Sequence, residues 1–251
     1  MSTRPTPSGE EQAFLARYDA SRFPHPSVSV DLLLITAERG RLCCLVHERS
    51  EHPFRGASAL PGGFVSMDES LEDAVDRVLL EKAGLRGVFT EQLFTFGAVA
   101  RDPRTRVIAV AYYALVDAAT LMAAVEAHEG RRLATLEVPW EGLAGGAVRA
   151  FDADGSALSL AFDHAEMLGV AVTRLRGKLD YAPIGFELLP AEFTLRQLQD
   201  VHETVLGHAV NKDSFRRRMT TSGMVEATGR RERDVLHRPA ALYRFARPKT
   251  T

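Results

Sequence analysis

Apolar residues run almost unbroken from Val28 to Ile35 and again from Leu42 to Val46, with Glu38, Arg39 and Gly40 between them. That pattern predicts two strands joined by a hairpin turn. Leu71, Val75, Val78, Leu79 and Ala83 recur at helical spacing, and Gly84 stands where a C-terminal cap belongs. Strand character returns at Phe94–Phe96 and Val107–Val116. A glycine- and alanine-rich stretch from Gly142 to Ser156, with an Asp154-Gly155 turn signal, reads as a surface loop. Leu168, Val172, Leu175 and Leu179 define a helix over His164–Leu179 that can join two bodies. At the N-terminal end a short helix over Phe14–Tyr18 is broken by Phe23-Pro24-His25-Pro26. The chain has no internal repeat.

Beyond Pro183 the pattern changes. Thr194 can cap a helix carrying Leu195, Leu198, Val201, Val205 and Leu206, ended by Gly207. Asn211 can cap a second helix with Phe215 and Met219 inward. Val225–Thr228 and Leu242–Phe245 then read as two strands around a basic loop, Arg230–Arg238. Helix, turn, helix and two-stranded wing is the order of a winged helix-turn-helix. With Phe215 and Met219 buried, 100° per residue turns Arg217 to the opposite side, flanked by Arg216 and Arg218. An outward arginine suits bidentate contact to guanine, and Ser214 suits base or phosphate. Lys212, Arg230, Arg231, Arg233 and Arg238 suit phosphates, and Thr194 is counted with the DNA-facing set.

Charge supports that reading. Residues 190–251 carry a net +5 and residues 1–189 a net −7, within a total of −2. A basic C-terminal quarter on an acidic body fits a polyanion partner such as DNA. The 251 residues, 45% hydrophobic and 25% charged, suffice for one large domain or two ordinary ones. No apolar run reaches the ~18 residues of a membrane span, and the polar opening stretch has no signal-peptide core. Cys43 and Cys44 are the only cysteines, which excludes a disulfide scaffold or a structural cysteine–zinc site and fits a reducing cytoplasm. The eight histidines show no metal-ligand spacing.

The segment Gly63–Leu85 resembles the Nudix box, G-x5-E-x7-R-E-U-x-E-E-x-G-U. Gly63, Glu69, Arg77, Leu79, Glu81, Gly84 and Leu85 fall on their places, led in by Leu60-Pro61-Gly62-Gly63. In Nudix hydrolases three helix positions spaced i, i+3 and i+4 carry carboxylates that hold divalent metal. Here those positions are Val78, Glu81 and Lys82. Two carboxylates are missing, and an ammonium stands in place of one. Glu69 and Arg77 read as a pair bracing the loop onto the helix. The expectation is a pocket that accepts a nucleoside diphosphate without cutting it, with no metal and no catalytic residue.

With these residues in view, the chain from Pro26 to Phe245 resembles the NrtR family of Nudix-related transcriptional regulators. The matching stretches include Pro26-Ser-Val-Ser-Val-Asp31, His52-Pro-Phe-Arg-Gly56, Arg101-Asp-Pro-Arg104, Ala161-Phe-Asp-His164 and Arg174-Leu-Arg-Gly-Lys-Leu179. The resemblance implies an α/β fold: a Nudix α/β/α sandwich with a mixed sheet, plus a C-terminal winged helix-turn-helix domain. It also implies a dimeric repressor of NAD biosynthesis or salvage genes, released by ADP-ribose; a homodimer on a palindromic operator is expected because one small winged module reads few base pairs. The corresponding domains are an extension over 1–26, a Nudix-like domain over 27–160, a linker helix over 161–180 and a DNA-binding domain over 181–251.

For the ligand, Arg49, Arg55, Arg101 and Lys82 lie in or beside the loops of a Nudix cleft and can meet a diphosphate. Gly62 and Gly63 permit close backbone approach. Glu81 is the one acid left on the metal face, and Phe64 or Phe96 can stack adenine. Trp140 reads as core with the same stacking role open to it, and His164 as a helix-start or interdomain residue. Two other functions stay open: an active hydrolase of ADP-ribose with an accessory domain, and a Nudix-fold protein whose basic tail binds RNA or protein.

Overall fold

The computed structural model describes residues 8–179, 182–233 and 238–246. The first seven residues, the expected boundary at 180/181, the wing loop at 234–237 and the last five residues lie outside the described residues. Among the described residues no helix is long and apolar enough to cross a membrane.

A short helix α1 (Gly9–Leu15), capped by Ser8, precedes the sheet. The predicted hairpin is β1 (Ser27–Glu38) and β2 (Arg41–Glu48), with Arg39 and Gly40 both at positive φ in the turn. Two short strands follow, β3 (Ser58–Ala59) on β2 and β4 (Gly62–Phe64) on β1. Helix α2 (Leu71–Val78) opens with a capping box between Ser70 and Asp73. It runs into a π-helical turn, Leu79–Ala83, which Gly84 ends at φ +72°. Next come β5 (Glu91–Phe96), β6 (Val107–Leu115), α3 (Ala118–Glu126), β7 (Arg131–Glu137), β8 (Arg149–Phe151) and β9 (Ala157–Leu158). The sheet order is β5-β6-β1-β2-β7-β8-β9. It is mixed, because β1 pairs parallel with β6 and antiparallel with β2.

Each face of the sheet is covered. Val30, Leu32 and Leu34 of β1 face α2 and α3, burying Val75, Val78 and Leu121. Leu33 and Ile35 face the other way, against Met167, Leu168, Val172 and Leu175 of helix α4 (His164–Lys178). The alternation of β1 thus holds two cores apart.

Strand β10 (Phe193–Thr194), α5 (Leu195–Leu206), α6 (Lys212–Thr221), β11 (Val225–Arg231) and β12 (Ala241–Phe245) form the winged body. Its sheet has the order β10-β12-β11, one strand more than the pattern predicts. Helix α5 serves both bodies. Leu195 and Leu198 enter the winged core with Phe215 and Met219, whereas Val201 and Val205 join the core beneath the large sheet. Arg176 of α4 fixes the joint: Nε donates to Val205 O at 3.0 Å, and Nη1 donates to Gly142 O at 2.9 Å and Trp140 O at 3.3 Å.

Some expectations are corrected. Residues Gly142–Ser156 are not all loop, since β8 lies within them and pairs with β7. Helix α3 and strand β7 have no counterpart in the hydrophobic pattern. Alanines on every side of α3 flatten its amphipathic contrast, and two arginines open β7. The first helix begins earlier than predicted, at Gly9, because Ser8 caps it.

Candidate functional site

A cleft of about 240 Å³ opens where β1, β2 and β4 meet the segments around residues 101–104 and 162–164. Its floor comes from β1. Asp31 points inward opposite Gly62 of β4, and a Cβ at Gly62 would lie 2.2 Å from Asp31 Oδ1. Arg101 is buried beside it and makes a two-armed bond to Asp163, Nε–Oδ2 at 3.0 Å and Nη2–Oδ1 at 2.7 Å. His164 Nδ1 accepts the Leu60 N–H at 3.1 Å.

Burial raises the Asp31 pKa to about 6 although Arg101 pulls it down. Burial also lowers His164 to about 3 and His47 to about 4, with Lys82 and Arg49 adding repulsion at His47. Both rings are therefore neutral at pH 7.

The mouth alternates cations with rings. The Arg49 guanidinium lies 4.9 Å from the Phe162 ring, and Arg104 lies 5.4 Å from Phe64 and 5.8 Å from Phe162. Phe54 meets Phe162 edge-on at 4.8 Å. Phe54 and Phe162 both hold positive φ, +61° and +53°, a backbone region that bulky residues rarely occupy. Arg104 is paired with Asp102, whereas Arg49 makes no ion pair among the described residues. The Arg49 Nε donates to Pro53 O at 2.8 Å.

Of the sequence-predicted ligand residues, Arg49, Gly62, Gly63, Phe64 and Arg101 line this cleft. Arg101 serves its floor through Asp163 rather than standing free for an anion. Arg55 is exposed and lies outside the lining, because its loop turns back through the Gly56 N–H to Arg49 O bond. Phe96 packs against the α4 side of the sheet and meets Phe94, so it too is outside. Glu81 and Lys82 are exposed on the π turn and do not line the cleft, although Lys82 is close enough to act on His47. Asp31, His47, Arg104, Phe162 and His164 were not among the predicted ligand residues.

The box itself is a brace. Arg77 donates to both oxygens of Glu69, at 2.9 and 2.6 Å, and to Phe64 O at 3.0 Å, while Glu69 accepts the Ser66 N–H. These bonds drop the Glu69 pKa to about 2. Val78 is fully buried in the core, and Glu81 lies 3.6 Å from Arg77. Among the described residues no group of three or more His, Cys, Asp or Glu is placed to hold a metal ion. The residues present do not fit the divalent metal of Nudix hydrolases.

At the other body, Asn211 caps α6 through the Ser214 N–H, and Phe215 and Met219 are buried. Lys212, Ser214, Arg216, Arg217 and Arg218 are exposed around the part of α6 that Phe215 and Met219 leave open, with Arg218 folded over Phe215 at 5.6 Å. Arg231, Arg233 and Arg238 are exposed in the wing. Thr194 does not join them. It is 4% exposed, and its hydroxyl accepts the Gln197 N–H in a capping box, which removes it from the DNA-facing set.

Residues 25–150 match the NUDIX domain family, and residues 185–245 match the NrtR DNA-binding winged helix domain. The ADPR responsive transcriptional repressor NtrR of Acinetobacter baylyi is 38% identical over 238 residues, 94% of this chain and 88% of that protein. An ADP-ribose pyrophosphatase of Methanocaldococcus jannaschii is 36% identical over 105 residues, 42% of this chain and 60% of that one. The crystal structure of Shewanella oneidensis NrtR complexed with a 27mer DNA superposes with a TM-score of 0.72 at 35% identity, covering 87% of this chain and 93% of that one. A sandwich whose box braces a loop, followed by a winged helix and matched along almost its whole length, leaves one assignment: the chain belongs to the NrtR family of regulators.

Proposed function

We propose that this chain is a DNA-binding transcriptional repressor that leaves its operator when ADP-ribose fills the Nudix cleft. The observation that carries the reading is the continuity between the two sites. Asp163 and His164, at the cleft, begin α4, and Arg176 near its other end holds the C-terminus of α5. The relative described as ADPR responsive supplies the ligand, and the relative solved with DNA supplies the partner. In this reading Arg49 and Arg104 meet the diphosphate, Phe64 and Phe162 offer ring faces to adenine, and Gly62 and Gly63 let the ligand approach the backbone. Arg216, Arg217 and Ser214 read bases, while Lys212, Arg231, Arg233 and Arg238 hold phosphates. Arg218 joins whichever set its packing on Phe215 permits.

The same reading makes the active form a cytoplasmic homodimer on a palindrome, since one small winged module reads few base pairs. Its targets are genes of NAD biosynthesis or salvage. Domain limits near 27–160 for the Nudix part and 181–251 for the winged part, joined by a linker over 161–180 that contains α4, serve this division of labour. A gel shift on the chain's own upstream DNA, with and without ADP-ribose, tests the function. Release by ADP-ribose is expected, and an unchanged shift under saturating, calorimetrically bound ligand overturns it.

The hydrolase reading draws on the ADP-ribose pyrophosphatase match and the retained Glu69, Arg77 and Glu81. Val78, Lys82 and the Arg77–Glu81 contact weigh against it. Steady AMP release in millimolar Mg²⁺ at an ordinary ~1 per second or more would restore it.

A further inference from the structure

The Asp31 carboxylate is 10% exposed and faces the cleft. Among the described residues it accepts no hydrogen bond. Arg101 Nη2 is 3.8 Å from one oxygen and His164 Nε2 is 4.0 Å from the other, both beyond bonding distance. Room for it exists because residue 62 has no side chain. The carboxylate has no protein donor within bonding distance and its remaining exposure is to the cleft, so a donor on a bound ligand can reach it there.

The surroundings narrow those donors. The neutral His164 ring accepts at Nδ1 from Leu60, so its proton sits on Nε2, on the Asp31 side. The ligand group must therefore donate to a carboxylate and accept from an N–H at once. A cation makes no use of the N–H, and a phosphate is repelled by the carboxylate. Vicinal hydroxyls satisfy both, and acidic side chains recognise ribose in this way elsewhere. Aromatic rings and arginines occupy the mouth, with Phe64 45% exposed there, which leaves the floor for the sugar farthest from the base.

Resting on the reading of this cleft as an ADP-ribose site, we propose that Asp31 is its specificity-determining residue. It accepts hydrogen bonds from the vicinal hydroxyls of the distal ribose, and His164 Nε2–H donates to one of them. Ligands that end at the diphosphate lack this contact.

Calorimetry on the full chain tests it with three probes: ADP-ribose, an analogue lacking the 2-hydroxyl of the distal ribose, and ADP. Wild type should bind the deoxy analogue roughly 10- to 100-fold more weakly than ADP-ribose, the range for a hydrogen bond to a charged group. Asp31→Asn should lose a similar factor for ADP-ribose, discriminate the analogue by less than about threefold, and bind ADP as wild type does. Wild type that binds ADP-ribose and the analogue equally overturns the proposal and leaves the effector reading standing. Wild type that binds none of the three overturns both. An Asn variant that loses ADP and ADP-ribose alike shows a structural role and also overturns it. If thermal melting shows that the variant is unfolded, the wild-type comparison decides alone.

Discussion

Replacing Arg176 with methionine tests how the two bodies are joined. Arg176 is 7% exposed as a residue, and the three carbonyls its guanidinium holds come from two places: the last turn of α5 and the segment at Trp140 and Gly142. No ion pair to it is found among the described residues, so the bonds to Val205, Gly142 and Trp140 are its compensation for burial. Val205 O lies in the last turn of α5, whose carbonyls find no partner within the helix, and a cation there also meets the negative end of the helix dipole. Each bond from a charged donor is worth about 1.5–3 kcal/mol, and the three are not additive. Methionine keeps the apolar stem and strands the carbonyls, at a total cost of about 3–5 kcal/mol by analogy with broken buried ion pairs. For a chain of this size about 2–4 °C is lost per kcal/mol, so calorimetric melting should fall by roughly 6–20 °C. The response of DNA affinity to ADP-ribose, a factor of about 5–150 for ordinary coupling, should shrink toward one. A melting temperature within about 2 °C of wild type would refute the bond accounting.

The remaining expectations follow from single contacts. Gly62→Ala places a methyl 2.2 Å from Asp31 Oδ1 and 3.1 Å from Val30 O, so ADP-ribose affinity measured by calorimetry should fall at least tenfold, with Asp31 displaced. Arg217→Glu should abolish the gel shift and leave calorimetric ADP-ribose binding unchanged, because α6 packs through Phe215 and Met219 and not through Arg217. Arg49→Ala should do the reverse and give a repressor that stays on DNA at saturating ligand, a role the exposed Arg55 does not fill. Between about pH 4 and 6 the unfolded chain protonates His47 and His164 while the folded chain does not, and Asp31 opposes them by holding its proton in the folded state. Two protons against one make stability rise with pH by about 1.4 kcal/mol per unit in that window, so a urea midpoint that falls from pH 4.5 to 5.5 would be the wrong sign.

Local rules carry far along this sequence. Gly84 and Gly207 end their helices at φ +72° and +78°, Asn211 and Thr194 cap theirs, and the inward pair on α6 follows from spacing alone. The cleft is harder to read because its residues come from segments near 31, 47, 62, 102 and 163, and no local spacing links them. A signal was nevertheless present. Asp31 is a lone acid inside the apolar run Val28–Ile35, and a carboxylate in the middle of a buried strand needs a reason to be there. Arg55 and Phe96 illustrate the opposite error. Both have suitable chemistry close in sequence to the cleft, but a loop that folds back and the alternation of a strand carry them away from it.

Coupling between the two sites requires an element that both ends can bias, and α4 has that form. Its 15 residues span about 22 Å. Near the cleft its start is fixed by the Asp163–Arg101 bond and the His164–Leu60 bond. Its far end is tied to β5 by Lys178 on Glu91 and by Arg174 on Leu93 O, and to α5 by Arg176. Along its length a Cβ at Gly169 would lie 1.8 Å from Gly146 O, so the segment that carries Trp140 is seated on α4 and must travel with it. A ligand pressing on the floor therefore meets His164, the first residue of α4, and Arg101, which holds the Asp163 cap. Movement of α4 reaches α5, whose Val201 and Val205 lie in one core and whose Leu195 and Leu198 lie in the other. Because close-packed cores deform little, a small rotation of α5 has to re-aim α6 as a unit and cannot be absorbed between the bodies. The recognition helix can thus be moved off its groove without the ligand touching it, provided the filled cleft favours a different seat for the first turn of α4.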